Sequence, residues 1–146
     1  MGCDIHGWLE VRKDSTGKWI GLRPFNCRAR QRNYRRFALL AGVRGAGDPR
    51  ELRPKGLPLD ISDSVLYEYS SWGDDAHTPS WITLQEAVKI FKDTSDWDSR
   101  ISSMSTSALE WAEGDFVYRY FGIYPEDWSH NKFVWENYRI VFWFDN

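Results

Sequence analysis

The sequence predicts an α+β fold in which a small, mostly antiparallel sheet packs against about three helices. Segments near both ends of the chain have the apolar patterns of strands, whereas the middle has helical spacing. The chain has 146 residues, 42% hydrophobic and 27% charged, which is the size and composition of an ordinary globular domain. We therefore expect residues 1–146 to form a single domain.

The predicted strands are an N-terminal hairpin and a C-terminal strand. Residues 3–12 alternate in polarity, so Asp4 and His6 are expected to project from the same face. A turn-forming DSTG segment leads into a return strand at 18–23. The tail at 137–146 is rich in β-branched and aromatic residues and is too apolar for an edge, so it is predicted to lie centrally in the sheet.

The predicted helices lie between these strands. Apolar spacing indicates a helix from about 33 to 43 that stops at Gly45, and a short helix at 62–70. Two capping boxes, TLQE and SALE, predict helices from 83 to about 92 and from 107 to about 121.

Two long segments without periodicity are predicted to be loops. Residues 45–62 are rich in Gly and Pro, and residues 71–81 follow the short helix. Loops longer than about 12–15 residues in a compact domain are usually functional or mobile. We therefore expect binding residues near them.

Charge is divided unevenly along the chain. Residues 11–55 hold thirteen Lys and Arg against three Asp and Glu, whereas residues 56–146 hold six against sixteen. Such a split favours an anionic partner for the basic part. The alternative is that the two parts pack together and neutralise each other through weak surface pairs.

An arginine cluster marks the candidate binding surface. Five arginines crowd the beginning of the predicted 33–43 helix, where the helix dipole favours anions and disfavours cations. Such a cluster can bind a host protein, an anionic small molecule or a nucleic acid. The predicted ligand-binding residues are Arg28, Arg30, Arg32, Arg35, Arg36 and Trp72.

Two Asp-x-His pairs form a candidate metal site. Asp4 and His6 lie on the first strand, and Asp75 and His77 lie in the 71–81 loop. Carboxylates and neutral imidazoles are ligands of zinc, manganese and iron. If the strand and the loop meet, the four side chains can share a divalent metal. The alternative is that each pair is an ordinary hydrogen-bonded feature, because the spacing is not diagnostic.

The sequence gives no sign of membrane insertion or export. No apolar run reaches the ~18 residues needed to span a bilayer, and no basic region precedes an apolar stretch at the N-terminus. Cys3 and Cys27 lack metal-binding or disulfide-framework spacing, so free thiols are expected. We expect a cytoplasmic protein without a membrane partner.

Several segments resemble a widespread family of uncharacterised phage and prophage proteins. They are GCDIH, RNYRRFALLAGVR, KGLP, DDAHTPSWITLQE and RIVFWFDN, spread in this order over nearly the whole chain. The resemblance implies a small cytoplasmic protein of an infected or lysogenic bacterium. It implies no activity and no catalytic residues.

These observations favour a phage-type accessory protein that binds a host component or an anionic ligand and so counteracts host defence. Two alternatives remain open. One is a metal-dependent phosphoester hydrolase or nuclease that uses the two Asp-x-His pairs to activate water. The other is a protein that sequesters a nucleotide signal without cleaving it.

Overall fold

The computed structural model describes residues 2–124 and 134–146. Within this part of the chain, one antiparallel sheet has its strands in the order β2–β1–β4–β3. The strands are β1 (Asp4–Val11), β2 (Ile20–Pro24), β3 (His77–Thr83) and β4 (Tyr138–Asp145). The predicted N-terminal hairpin and the central position of the C-terminal strand are both confirmed.

The helices of the described residues complete an α+β fold, as predicted. None of them combines the length and the apolarity needed to cross a bilayer. The helices are α1 (Tyr34–Ala41), α2 (Asp63–Ser71), α3 (Leu84–Asp93), α4 (Trp97–Ile101) and α5 (Thr106–Phe121), with single 3₁₀ turns at Gly73–Asp75 and Trp135–Asn137.

The capping box at the start of α3 is confirmed. The Thr83 hydroxyl accepts the Glu86 backbone N–H at 3.1 Å, and the Glu86 carboxylate accepts the Thr83 backbone N–H at 3.0 Å. The second predicted cap is displaced: Ser105, rather than Ser107, accepts a backbone N–H at the start of α5. The helix therefore begins one residue before the predicted boundary.

Helix α1 is shorter than predicted because it ends at Gly42 rather than Gly45. Gly42 has a φ of 72°, in the left-handed region that glycine adopts without steric cost, and its N–H is accepted by the Ala38 carbonyl. At the other end, Asn33 caps the helix by accepting the Arg36 backbone N–H.

Both faces of the sheet are covered. The first face carries Ile5, Leu9 and Phe142 and packs against α1, α3 and α5 in the main core. The second face carries Val141 and Trp143 and packs against α2 and the loop before it. The burial of β1 alternates from Asp4 to Leu9, as expected for a half-buried strand, and the fully buried Glu10 departs from this pattern.

Strand β3 replaces part of the predicted 71–81 loop. His77–Thr83 pairs with β4 as an edge strand, with a register shift between His77 and Ser80. Thr78 in this irregular part has a φ of 53°. A proline within a strand and a residue with positive φ both weaken the strand signal. Pairing with the strongly apolar β4 overrides these local preferences.

The predicted 45–62 loop has no helix or strand, as expected, and it joins the two sides of the sheet. Leu52 N–H donates to the Leu39 carbonyl of α1, and Gly56 N–H donates to the Pro79 carbonyl of β3. The loop thus passes the β3 edge and reaches the second face just before α2.

Candidate ligand-binding cleft

A cleft of about 380 Å³ opens on the second face of the sheet, between β1 and α2. Its volume lies in the range of small-molecule sites, and its walls combine aromatic surfaces with a few polar groups, as such sites usually do. We call it the β1–α2 cleft. Its lining residues are His6, Gly7, Trp8, Pro24, Phe25, Arg30, Glu68, Trp72 and Trp143.

The elements of the sheet and α2 bring these side chains together. Alternation along β1 places His6 and Trp8 on the second face, and Trp143 lies opposite His6 on β4. Helix α2 contributes Glu68 and ends at Trp72, whose ring centroid lies 4.0 Å from that of His6. The imidazole and the indole therefore form one wall of the cleft.

Gly7, between His6 and Trp8 on β1, is sensitive to substitution because its Cβ direction points to the first face of the sheet. A Cβ at Gly7 would lie 2.6 Å from the Phe25 ring and 2.8 Å from the Val141 carbonyl oxygen. Only glycine lets the Phe25 ring and the neighbouring strand approach β1 this closely.

His6 lies beside a carboxylate at the end of β4. The strand register puts Asp145 opposite Asp4, so Asp145 shares the second face with His6. His6 Nε2 lies 3.2 Å from Asp145 Oδ2 but does not meet the geometry of a hydrogen bond, and Nε2 has no other partner among the described residues. An imidazole and a carboxylate thus lie side by side where β1 begins and β4 ends.

Trp143 supplies an unused hydrogen-bond donor. Its side chain is fully buried, and its Nε1–H has no acceptor among the described residues. A buried donor left without a partner costs about 1–3 kcal/mol. An acceptor atom of a bound molecule, or a bound water, would relieve this cost.

The charged groups of the cleft have opposite signs. Arg30 is exposed, and no carboxylate in the described ranges lies within ion-pair distance of its guanidinium. Its guanidinium instead contacts Cys27 Sγ at 3.7 Å. Glu68 is half-buried and likewise lacks an ion-pair partner within residues 2–124 and 134–146. The cleft thus offers a cation for an anionic group and a carboxylate for an N–H donor.

The five predicted binding arginines do not form one surface. Arg36 is only 2% exposed and donates to Thr94 Oγ1 and to the Phe91 carbonyl, so its placement among the binding residues is wrong. Burial lowers the pKa of its guanidinium. An arginine on the apolar side of a helix can anchor a neighbouring helix, here α3, instead of facing solvent.

The other four arginines point to different parts of the surface. Arg32 donates to both carboxylate oxygens of Asp4, at 2.6 and 3.2 Å, and these bonds hold the pKa of Asp4 below its usual range. Arg28 lies over the Tyr120 ring, and Arg35 lines a separate depression beside α1. Of the six predicted ligand-binding residues, only Arg30 and Trp72 line the β1–α2 cleft.

The two Asp-x-His pairs do not converge on a common pocket, and this prediction is wrong. His6 lies opposite Trp143 and His77 lies opposite Phe144. Trp143 and Phe144 are consecutive in β4, so the two histidines project from opposite faces of the sheet. The His77 ring stacks on Phe144, 6.2 Å between centroids, and its Nδ1 lies 2.9 Å from Thr78 Oγ1.

No group of three or more His, Cys, Asp or Glu that could hold a metal ion occurs within the described ranges. Asp4 is engaged by Arg32, and Asp75 ends the 3₁₀ turn that precedes His77. The third histidine, His130, lies outside the described residues. Binding of a divalent metal stays a prediction, but the four side chains predicted to share the ion do not converge.

Cys3 lies apart from the cleft, as the alternation of β1 predicts. Its thiol is buried in the core on the first face, and burial raises its pKa. Cys27 is exposed, and both cysteines are free, as expected.

Sequence patterns did not identify Glu68 and Trp143 as parts of the site. Trp143 has the apolar context of a central strand, which predicts burial but not an unused N–H group. Glu68 falls on a short helix whose partner strand is not evident from the sequence. Asp145 is a further potential metal ligand by residue type, and only the antiparallel register places it beside His6.

Comparison of the chain with known protein-family models, with curated proteins and with solved structures found no significant match. The geometry of the β1–α2 cleft therefore carries the functional conclusion.

Proposed function

We propose that this protein captures a nucleotide-type ligand in the β1–α2 cleft and holds it without cleaving it. The observation that carries this proposal is the Trp143 indole N–H, which is fully buried and has no acceptor within the described ranges. Trp143 also lines the cleft, and an indole N–H suits the carbonyl or ring nitrogen of a nucleobase, both of which are acceptors.

The other walls are complementary to the remaining parts of a nucleotide. A planar base can stack on the partly exposed indoles of Trp8 and Trp72, and each such stack contributes about 1–3 kcal/mol. An exocyclic amine or ring N–H of the base can donate to the Glu68 carboxylate. The phosphate can accept paired hydrogen bonds from Arg30, the geometry in which arginine binds phosphate best.

The mixed charge of the cleft is part of this argument. A simple anion such as free phosphate would contact Arg30 but would be repelled by Glu68. A nucleotide carries its phosphate and its N–H-bearing base at opposite ends, so the phosphate can contact Arg30 while the base donates to Glu68.

The resemblance to phage and prophage proteins suggests a biological setting for such capture. A phage-type accessory protein that withholds a nucleotide signal would blunt a host defence that depends on this signal. The protein would then act in the cytoplasm of an infected or lysogenic bacterium, by binding rather than by catalysis.

Isothermal titration calorimetry with a defined panel tests the proposal. The panel contains AMP, GMP, 3′,5′-cyclic AMP, 3′,5′-cyclic GMP, adenosine and inorganic phosphate. We expect at least one nucleotide to bind, and adenosine and inorganic phosphate to bind at least about tenfold more weakly, because each lacks one half of the contacts. Absence of binding by every nucleotide at millimolar concentration would contradict the proposal.

Two substitutions and a matched control connect this binding to the cleft. Arg30→Ala and Trp72→Ala should each weaken the nucleotide about tenfold or more, because they remove the phosphate contact and a stacking surface. Arg35→Ala removes an exposed arginine that lines another depression, and it should leave affinity unchanged. Equal effects of Arg30→Ala and Arg35→Ala would point to general charge attraction.

One observation favours a second function, phosphoester hydrolysis. The 3.2 Å approach of His6 Nε2 and Asp145 Oδ2 provides an imidazole beside a carboxylate, which can act in acid–base catalysis. Incubation with each bound nucleotide, with and without added zinc or manganese, followed by heat release and mass spectrometry, separates the two functions. Sequestration returns the nucleotide intact, whereas hydrolysis returns products that His6→Ala abolishes.

A further inference from the structure

A second concave surface lies on the second face of the sheet, at the opposite end of β1 and β4 from the β1–α2 cleft. It is a groove of about 700 Å³, and we call it the Trp19–Trp81 groove. Its lining residues are Arg12, Trp19, Lys55, Leu57, Pro58, Leu59, Asp60, Trp81, Thr83, Glu136, Tyr138 and Arg139.

Cations and indoles alternate along this groove. Lys55 Nζ lies 4.2 Å from the Trp81 ring centroid, and the Arg139 guanidinium lies 5.5 Å from the same ring and 4.1 Å from that of Trp19. Arg12 lies 4.7 Å from the Trp19 centroid. These cation–π contacts hold the three cations in fixed positions.

The two outer cations of the groove, Arg12 and Lys55, can form ion pairs with a partner molecule. Arg139 at the centre is matched by Glu10 and Asp60. Arg12 donates to Asn137 Oδ1 and to the Glu136 backbone oxygen, both uncharged acceptors. Within the described ranges, neither Arg12 nor Lys55 has a carboxylate within ion-pair distance.

The loop that borders the groove presents an apolar side chain on a fixed backbone. Leu59 is fully exposed, at 107% of its reference area. Its neighbour Asp60 accepts from Arg139 Nη1 at 2.8 Å, and the Ser62 backbone N–H donates to Glu10 at 2.8 Å. Because these bonds tie the loop to β1 and β4, Leu59 is held out into solvent beside the two outer cations.

We propose that the Trp19–Trp81 groove binds an acidic peptide segment of a partner protein, with acidic side chains at Arg12 and Lys55 and an apolar side chain against Leu59. This site is separate from the β1–α2 cleft and does not depend on the proposed function. Charge complementarity supports it, because two fixed cations that have no carboxylate within ion-pair distance in the described ranges flank the groove.

Single-stranded nucleic acid is a poorer fit than a peptide. Its binding uses exposed aromatic faces for base stacking, but here the protein's own cations lie over the Trp19 and Trp81 rings. The carboxylates of Glu136 and Asp60 also line the groove, and the sugar–phosphate backbone of DNA has no N–H group to donate to them. A peptide can instead donate its backbone N–H groups to them.

Fluorescence anisotropy with three labelled probes tests this proposal. The probes are a nonapeptide of three Glu-Glu-Leu repeats, its Lys-Lys-Leu counterpart, and a dT oligonucleotide of nine nucleotides, each at low ionic strength. We expect saturable binding of the acidic peptide alone. Tighter binding of the oligonucleotide, or no binding of the acidic peptide, would overturn the proposal.

Matched substitutions locate the binding. Lys55→Glu should weaken the acidic peptide about tenfold or more, whereas Lys89→Glu, at an exposed lysine of α3, should have little effect. Leu59→Ser should weaken it more than Leu66→Ser on α2, because Leu66 does not line the groove. Arg30→Ala in the β1–α2 cleft should leave the affinity for the acidic peptide unchanged. Equal effects of Lys55→Glu and Lys89→Glu would show attraction to net charge and overturn the assignment.

Discussion

Glu10 and Arg139 face each other across β1 and β4 in a buried ion pair, with Glu10 Oε1 2.6 Å from Arg139 Nε. Their side chains are 0% and 4% exposed. The second Glu10 oxygen accepts the Ser62 backbone N–H, and Arg139 also donates to Asp60. This pair joins the sheet to the loop that leads into α2, and so it supports both concave surfaces of the second face.

Removal of one member of this pair should destabilise the protein strongly. Glu10→Ala leaves a buried guanidinium whose remaining carboxylate partner among the described residues is the exposed Asp60, and breaking such a pair costs about 3–5 kcal/mol. Asp4→Ala removes the exposed pair with Arg32 and should cost less than about 1 kcal/mol. Urea unfolding of both variants measures the difference. Equal losses would show that the buried pair is not important for stability.

Two of the three described N-caps with hydroxyl side chains, Thr83 and Ser62, should respond differently to alanine. Thr83→Ala removes the confirmed capping box of α3 and should cost about 1 kcal/mol. Ser62 precedes α2, but its side chain makes no cap hydrogen bond and its buried Oγ has no partner among the described residues. Ser62→Ala should therefore be neutral or slightly stabilising. A loss at Ser62 as large as that at Thr83 in thermal unfolding would contradict these hydrogen-bond assignments.

Acid should destabilise the protein through paired aspartates. Hydrogen bonds from Arg50 lower the pKa of Asp48 to about 2, and a hydrogen bond from Arg139 lowers that of Asp60. In the unfolded chain each carboxyl takes up its proton at a higher pH than in the folded protein. The stabilisation is therefore complete above the unfolded pKa, about 4, and is lost as the pH falls toward 2.

Unfolding measured across this pH window checks the direction of the effect. Asp48→Asn should make stability less dependent on pH between about 4 and 2. The control is Asp98→Asn, at an exposed aspartate with no ion pair in the described ranges. A steeper pH dependence in Asp48→Asn than in the unsubstituted protein would mean that the Asp48 carboxylate does not stabilise the fold.

Local patterns predicted most of the fold but not β3, one of the two edge strands of the described sheet. Alternation in β1, the apolar run of β4 and the capping box of α3 are local signals, and the structure confirms all three elements. Strand β3 contains Pro79 and a positive φ at Thr78, so it forms only because β4 lies beside it. Such long-range pairing is not encoded in a short window of sequence.

The candidate site was less predictable because it depends on which face each residue occupies. His6 and His77 share a sequence motif, yet they flank β4 at consecutive positions and face opposite sides. Arg36 resembles its neighbouring arginines in sequence but belongs to the buried stripe of α1. Strand register and helix rotation separate such residues, and neither follows from composition.

The indole region of a ¹H–¹⁵N correlation spectrum tests nucleotide capture most directly. The chain has nine tryptophans, and loss of one signal in Trp143→Phe identifies the Trp143 indole N–H. On titration with the nucleotide that binds most tightly in calorimetry, this signal should shift downfield and saturate with the calorimetric affinity, because the N–H gains an acceptor. A Trp143 signal that stays in place while the nucleotide binds, or the absence of binding by every nucleotide tested, would contradict capture in the β1–α2 cleft.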